Sequence, residues 1–337
     1  MKLKTLLTAV CATAALMSAA APALSQTLIR YGHFQPGRMD QPKHAAAMAF
    51  QAYVEAASGG SLQVELFPAG QLGNERTTME GLQLGTIGMA VIHDGGIAST
   101  FAPVEVFSLP FAFPNQAVAW RVFDGPFRDR MAELMLEETN IHLMGFADNG
   151  VRHLTNSQRA IVTPEDMSGL RIRVQPSQVY VSLIDSLGAS ATPVSWGELP
   201  TALAQGVVDG QENGVTNIIA ASLHENQSHV SLTGHVFSLH AYLMSDILWQ
   251  QLSEEERAIV RDGTTIAMGI HRGMTAAQDT NAGAMLSDLG LEVTALTPAQ
   301  LAAFADLAQP AVREYLDEQV GSDLVDALMA AIDEASQ

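Results

Sequence analysis

Positive charge is scarce in this 337-residue chain, where 17 Lys and Arg stand against 36 Asp and Glu for a formal net charge of −19. A surface of that sign repels nucleic acid and anionic lipid, which bind through basic patches that displace counterions. Cysteine is almost missing: Cys11 is the only one, and it lies in an N-terminal segment that reads as removable. The rest of the chain then forms no disulfide, has no thiol nucleophile, and must hold together by core packing. No Gly-x-Ser-x-Gly, Walker A loop or Gly-x-Gly-x-x-Gly occurs, so the common signatures of hydrolases, nucleoside triphosphatases and dinucleotide enzymes are absent. His224-Glu225 with His229 imitates a zinc-protease motif, but its second His is at i+5. Five residues turn a helix by about 140°, so the two imidazoles would not share a face. No catalytic residue, metal ligand set or cofactor is read from the sequence.

What is present begins with residues 1–25. Lys2 and Lys4 precede an apolar run from Leu6 to Met17, and Ala23-Leu24-Ser25 places small residues at −3 and −1 of a cut before Gln26. This is the pattern of a secretory signal peptide. The apolar run is short for a membrane span, and no second candidate follows, so the mature chain is expected to be exported to the periplasm without membrane insertion. Removal of Lys2 and Lys4 leaves 15 basic against 36 acidic residues, a net of −21, with Lys43 the sole lysine. About 310 remaining residues exceed one ordinary core and predict two domains.

Strands and helices alternate. Leu28 to Phe34 predicts a strand, Gln41 to Ser58 a helix, Leu62 to Phe67 a strand with Leu62, Val64 and Leu66 on one face, Glu75 to Leu84 a helix, and Gly88 to His93 a strand. This is a βαβ rhythm, and ligands of open α/β sheets sit beyond the carboxyl ends of strands. Phe34, His93 and Asp94 are therefore candidates for a cleft wall. Ser195 with Glu198, Ser253 with Glu256, and Thr297 with Gln300 after Pro298 are spaced as capping boxes. From Ser253 to about Leu289 few breakers intervene, which predicts up to 37 residues of nearly continuous helix. At 1.5 Å per residue it would span roughly 55 Å, enough to bridge two domains.

Four of the arginines, Arg152, Arg159, Arg171 and Arg173, fall within 22 residues of this acidic chain. In Leu170-Arg171-Ile172-Arg173-Val174 the alternation sends both guanidinium groups from one face of a half-buried strand. Gln175-Pro176 ends that strand, so Arg173 lies nearest its carboxyl end, where its planar fork could clamp a carboxylate or form a surface salt bridge. Asn213 follows an apolar strand and is either an amide donor to the same carboxylate or a turn residue before Gly214. Trp196 stands at a helix start, as a cover for a small ligand or as a core side chain. Arg152, after the Asn149-Gly150 turn that follows a strand from Ile141 to Phe146, would assist Arg173 or pair with Asp148.

Taken together, several blocks resemble the substrate-binding proteins of tripartite ATP-independent periplasmic (TRAP) transporters, in the dicarboxylate-binding-protein family. They are Phe67-Pro68-Ala69-Gly70-Gln71-Leu72-Gly73, Glu80-Gly81-Leu82-Gln83-Leu84-Gly85-Thr86, Leu109-Pro110-Phe111, Pro164 through Arg173, Leu187-Gly188-Ala189 and Gly206 through Asn213. The resemblance implies an α/β, two-lobed periplasmic binding protein fold with discontinuous domains, a ligand cleft between the lobes and a long bridging helix. The lobes would be about 27–149 plus 239–279 and 150–238 plus 280–337. It further implies no catalysis, a small carboxylate ligand, and delivery to the small and large membrane subunits of an ion-gradient-driven permease. By the same resemblance Arg173 forms the carboxylate pair, Asn213 and Arg152 assist it, and Trp196 packs on the ligand. Glu75 and His93 are looser matches on the first lobe, joined there by Phe34 and His240. Trp196 stands where Phe is commoner and Gly214 where Pro often follows, which leaves ligand size and hinge stiffness open.

For the far end of the ligand, Arg30, Arg38 and Arg76 are the only arginines near the early strands, whereas Glu75, His33, Gln35 and His93 suit hydroxyl groups. A sugar acid is the expectation, with a C4-dicarboxylate or other organic acid as the alternative. A periplasmic sensor-binding protein or an enzyme is the alternative class.

Overall fold

The parallel units are built as the hydrophobic pattern predicts. The computed structural model describes residues 26–337, so the expected signal segment with Cys11 lies outside the described residues. Strand β1 (Thr27–His33), helix α1 (Pro42–Ala57), β2 (Leu62–Phe67), α2 (Glu75–Gln83) and β3 (Met89–His93) form the first unit, with β2 and β3 both parallel to β1. Within β2 the alternation is realised, Leu62 and Val64 buried and Gln63 and Glu65 exposed. Short α3 (Asp94–Ile97), then α4 (Gln116–Phe123) and α5 (Pro126–Thr139), follow and lead into β4 (Ile141–Asn156). The second unit repeats the rhythm with β5 (Arg171–Val174), α6 (Gln178–Ser186), β6 (Ser190–Pro193), α7 (Leu199–Ala204), β7 (Gly210–Gly214) and α8 (Val215–Ala220). There β6 and β7 run parallel to β5.

Two long antiparallel strands join the units. β4 and β8 (His229–Ser245) pair along their length, and the strand order is β2-β1-β3-β8-β4-β7-β5-β6. The two parallel triplets are thus the cores of two lobes on one continuous sheet. This corrects the expected end of a strand at Phe146: β4 continues through Asn149-Gly150, which is a bulge and not a turn. Gly150 has φ +100, and a Cβ there would meet Asp279 Oδ1 at 3.1 Å. Gly214 is equally constrained, because a Cβ would lie 2.8 Å from the Asn149 carbonyl oxygen. The close approach of β7 to the bulge in β4 leaves no room for a side chain at position 214 without a backbone shift.

After α9 (Asp246–Trp249), helix α10 (Glu254–Thr280) starts with the expected capping box, Ser253 and Glu256 each satisfying the other's backbone N–H. It ends at Thr280, not near Leu289, because Asn281 leaves helical geometry before α11 (Ala282–Asp288) begins. Twenty-seven residues still span about 40 Å. Val54 and Phe50 of α1 pack on Gly263, where a Cβ would stand 2.8 Å from Val54. At the other end, Gln278 accepts a hydrogen bond from Thr216 of α8, so α10 bridges the lobes. β9 (Glu292–Ala295) pairs with β8, and α12 (Pro298–Val320) carries the second complete capping box at Thr297 and Gln300. α12 packs on α6, while α13 (Ser322–Ala335) packs on α4 and α5. The third expected box is incomplete: Ser195 Oγ donates to Glu198, but the chain there makes a 3-10 turn, Trp196–Glu198, before α7.

Candidate functional site

The carboxyl ends of both parallel triplets point at one another across a small cavity of about 10 Å³, lined by Phe34, Lys43, His93, Asn149, Arg152, Arg173, Gln175, Trp196, Asn213, Asn217 and His240. Seven of the eight residues expected from sequence are among them. The eighth, Glu75, lines an adjoining, more open space of about 420 Å³, which shares Phe34 and Trp196 with the inner cavity. Those two side chains form the partition, and the Trp196 indole N–H donates to the Phe34 carbonyl at 3.3 Å, linking the lobes.

Arg173 and Arg171 do not sit on equivalent ground. Both faces of β5 are covered at Arg173, which is 1% exposed, while Arg171 is exposed at the strand's start and forks onto Asp209 at 2.7 and 3.1 Å. The expectation of one half-buried face holds only at Arg171; from Ile172 to Val174 the strand is buried, and Arg173 borders the cavity. Arg173 Nε donates to the Val194 carbonyl at 2.9 Å. Its two terminal nitrogens, although buried, have no hydrogen-bond partner. Burial lowers its pKa to about 10, against the pull of Glu212 and Glu75, and the group remains cationic.

Arg152 does not pair with Asp148. It donates to both carboxylate oxygens of Glu212, through Nε and through Nη2 at 2.8 Å, and Nη2 also reaches the Glu212 carbonyl at 2.7 Å. Burial alone would lower the Arg152 pKa, but the Glu212 carboxylate raises it above the usual value. The remaining nitrogen, Nη1, has no partner. Asp148 is occupied instead by the Trp120 indole and the Gln116 amide, each at 2.7 Å.

Asn213 belongs to β7, not to a turn, and its amide spans Gln211 Oε1 at 3.1 Å and the Asn217 Nδ2 donor at 2.9 Å. Asn217 also donates to Asn149 Oδ1 at 2.7 Å, and Asn149 to Ser238 at 2.8 Å. A row of amides thus runs along the seam between the crossing strands and α8. On the first lobe, His93 Nδ1 accepts from the Gly96 N–H at 3.0 Å, which places the ring proton on Nε2, 3.2 Å from Glu75 Oε1. Burial pushes the Glu75 carboxyl up, but the His93 hydrogen bond and charge, the Glu75 backbone N–H and Arg173 together outweigh it and hold the pKa at about 2.

One feature was not foreseen. Lys43, known from sequence only as the sole lysine, enters the cavity from the first turn of α1; its Nζ lies 2.8 Å from His240 Nε2. The three arginines named as possible second cations stay outside: Arg30 donates to the Thr86 carbonyl, Arg38 pairs with Asp40 and Arg76 with Glu80. Asp94, expected on the cleft wall, is placed elsewhere. It does not line the cavity but accepts from Ser108, Tyr180 and Ser238 at 2.8–3.0 Å, so a first-lobe carboxylate is tied to a second-lobe tyrosine. Among the described residues no group of His, Cys, Asp and Glu is placed to hold a metal ion, and no helix is long and apolar enough to cross a membrane.

Known proteins share this arrangement. The pattern of the family described as bacterial extracellular solute-binding protein, family 7, matches residues 32–319. A solute-binding protein of Roseobacter denitrificans is 31% identical over 315 residues, covering 93% of this chain and 94% of its own. The sugar acid binding protein of Advenella mimigardefordensis, in complex with galactonate, superposes with a TM-score of 0.87 at 28% identity over 92% of this chain and 99% of that one. A TRAP periplasmic solute-binding protein of Sulfurospirillum deleyianum with bound succinate gives 0.84 at 26% identity, over 90% and 98% of the two chains.

Proposed function

This chain belongs to the bacterial extracellular solute-binding proteins of family 7, the binding components of TRAP transporters, and from that premise we propose that it captures a hydroxylated organic acid in the periplasm. Its partners would be the small and large membrane subunits of a permease, to which the acid is released chemically unchanged. The observation that carries the ligand chemistry is the set of three unpartnered guanidinium nitrogens, on Arg152 and Arg173, buried beside one cavity. A buried cation left without an anion is costly, and a carboxylate offers two oxygens in the plane that a guanidinium fork matches. Glu212 neutralises Arg152, so Arg173 is the cation with charge to spare and the primary anchor.

Amides favour a sugar acid for the rest of the ligand. Asn149, Gln175, Asn213 and Asn217 all line the cavity, and an amide both donates and accepts, as adjacent hydroxyls require. The galactonate complex of the Advenella protein agrees with this choice. A C4-dicarboxylate is the second reading, favoured by Lys43 as a cation on the first-lobe wall and by the succinate complex of the Sulfurospirillum protein. Against it stands ionised Glu75, which a second carboxylate would approach.

The lobes are assigned to 27–149 plus 239–279 and 150–238 plus 280–337, with the Asn149-Gly150 bulge as the crossing point. A thermal-shift screen of sugar acids and C4-dicarboxylates on ligand-stripped protein tests the ligand class. A ligand at a hundred times its Kd stabilises the folded form by about 2.7 kcal/mol, a shift of roughly 4 °C. A shift with sugar acids supports the reading; a shift confined to dicarboxylates replaces it with the second.

A further inference from the structure

Lys43 is the second residue of α1, 3% exposed, and its backbone N–H donates to Gln35 Oε1 at 2.9 Å. The Nζ has one hydrogen-bond partner among the described residues, His240 Nε2. That ring's Nδ1 is 3.2 Å from the Asp148 carbonyl oxygen. A carbonyl only accepts, so Nδ1 carries the proton and Nε2 is the acceptor for Nζ. An ammonium has three protons, and one goes to His240. The others belong to a side chain that lines the inner cavity from the lobe opposite Arg173.

We propose that Lys43 is a specificity-determining ligand contact, donating from the first lobe to a hydroxyl oxygen of the acid whose carboxylate Arg173 holds. This rests on the carboxylate site proposed above and names what that site selects: a polyhydroxy monocarboxylate. A hydroxyl that accepts from Nζ must give its own proton to an acceptor. The Asn149 and Gln175 side chains line the same cavity, and the ionised carboxylate of Glu75 lies in the adjoining space. A purely aliphatic acid would leave the ammonium protons without partners. A second carboxylate would bring another anion towards Glu75.

The surroundings of Lys43 give the contact a pH signature. Facing it are Glu75 of α2, His33 at the end of β1, His93 of β3, His240 of β8 and His271 of α10, with His44 of α1 bonded to His33 behind them. Burial pushes the ammonium down to about 7, with Glu75 opposing. An anionic ligand whose hydroxyl accepts from Nζ favours the charged form, so binding takes up a proton above pH 7. Affinity therefore falls as pH rises from about 7 towards 9.

The test is calorimetric titration of D-galactonate and succinate into wild type, Lys43→Met, Lys43→Gln and Arg173→Ala, in two buffers of different ionisation enthalpy at pH 8. We expect galactonate binding to weaken at least tenfold in Lys43→Met, and the wild-type proton uptake to vanish in both Lys43 variants. Lys43→Gln keeps a donor for His240, so its loss of proton uptake separates ligand reading from a folding role. Galactonate affinity and proton uptake in the Lys43 variants within twofold of wild type overturn the proposal. Retention of binding by Arg173→Ala, or binding of neither acid by wild type, overturns instead the carboxylate site on which it rests.

Discussion

Replacing Arg173 by alanine should abolish tight binding, and replacing Arg171, two residues away on the same strand, should leave it unchanged. The two side chains share residue type and strand; the sequence separates them only by distance from the strand's carboxyl end, and burial separates them in the structure. Arg173 is 1% exposed with two unpartnered nitrogens at the cavity, whereas Arg171 forks onto Asp209 at the surface. Truncating one partner of a desolvated, hydrogen-bonded charge pair costs about 2–5 kcal/mol. At about 1.4 kcal/mol per tenfold, that is a loss of roughly 30-fold to several thousand-fold in Kd. Arg173→Lys should recover only part of it, because a point charge cannot make two parallel bonds to one carboxylate. Isothermal titration with the acid that gives the largest thermal shift measures all three variants. Losses of the same size at positions 171 and 173 would refute the reasoning, since the argument rests on their different burial.

Other consequences follow from the same geometry. Trp196→Phe should remove the fluorescence change that accompanies closure, because its indole N–H reaches the Phe34 carbonyl across the cleft; a full change from Trp120 and Trp249 alone would contradict this. Asp94→Asn replaces an acceptor shared by Tyr180, Ser238 and Ser108, and stopped-flow measurements should show faster ligand release with little change in the association rate. Unchanged release would mean that this contact does not hold the lobes together. Asp279, whose carboxyl is pushed up to about 7 by burial and then by Asp148, accepts from the Val151 N–H at the crossing bulge. The folded state keeps that proton between about pH 4 and 7 while the unfolded chain gives it up, so its contribution falls as pH rises through that window. Asp279→Asn should therefore raise Tm more at pH 8 than at pH 4, and a pH-independent difference would exclude this linkage.

Much of the architecture was legible because it is written in local periodicity. The alternation of Leu62, Val64 and Leu66 and the capping boxes at Ser253 and Thr297 mark element type and boundaries without reference to distant residues. The arginine cluster likewise drew notice to Arg152 and Arg173 by contrast with an acidic chain. What stayed hidden depends on long-range pairing. Nothing near Asn149-Gly150 reveals that β4 continues, because a bulge and a turn use the same residues and only β8 and α10 decide between them. Glu212 could not be chosen over Asp148 as the Arg152 partner without the β4–β7 register that sets Arg152 beside Gly214 and Leu154 beside Glu212. Lys43 was overlooked for a related reason. A lysine in the first turn of an amphipathic helix ordinarily reads as solvent-exposed, and its partner His240 is 197 residues away. Its being the only lysine past residue 4 was the available signal.

The central claim is that this protein holds a hydroxylated monocarboxylate and returns it unaltered. Native mass spectrometry of stripped protein, incubated with an equimolar mixture of sugar acids and C4-dicarboxylates, tests it most directly. The account predicts one adduct with the mass of a single sugar acid, absent in Arg173→Ala, and a released ligand of unchanged mass. An adduct of a dicarboxylate, a released molecule of altered mass, or an adduct that survives the loss of Arg173 would contradict it.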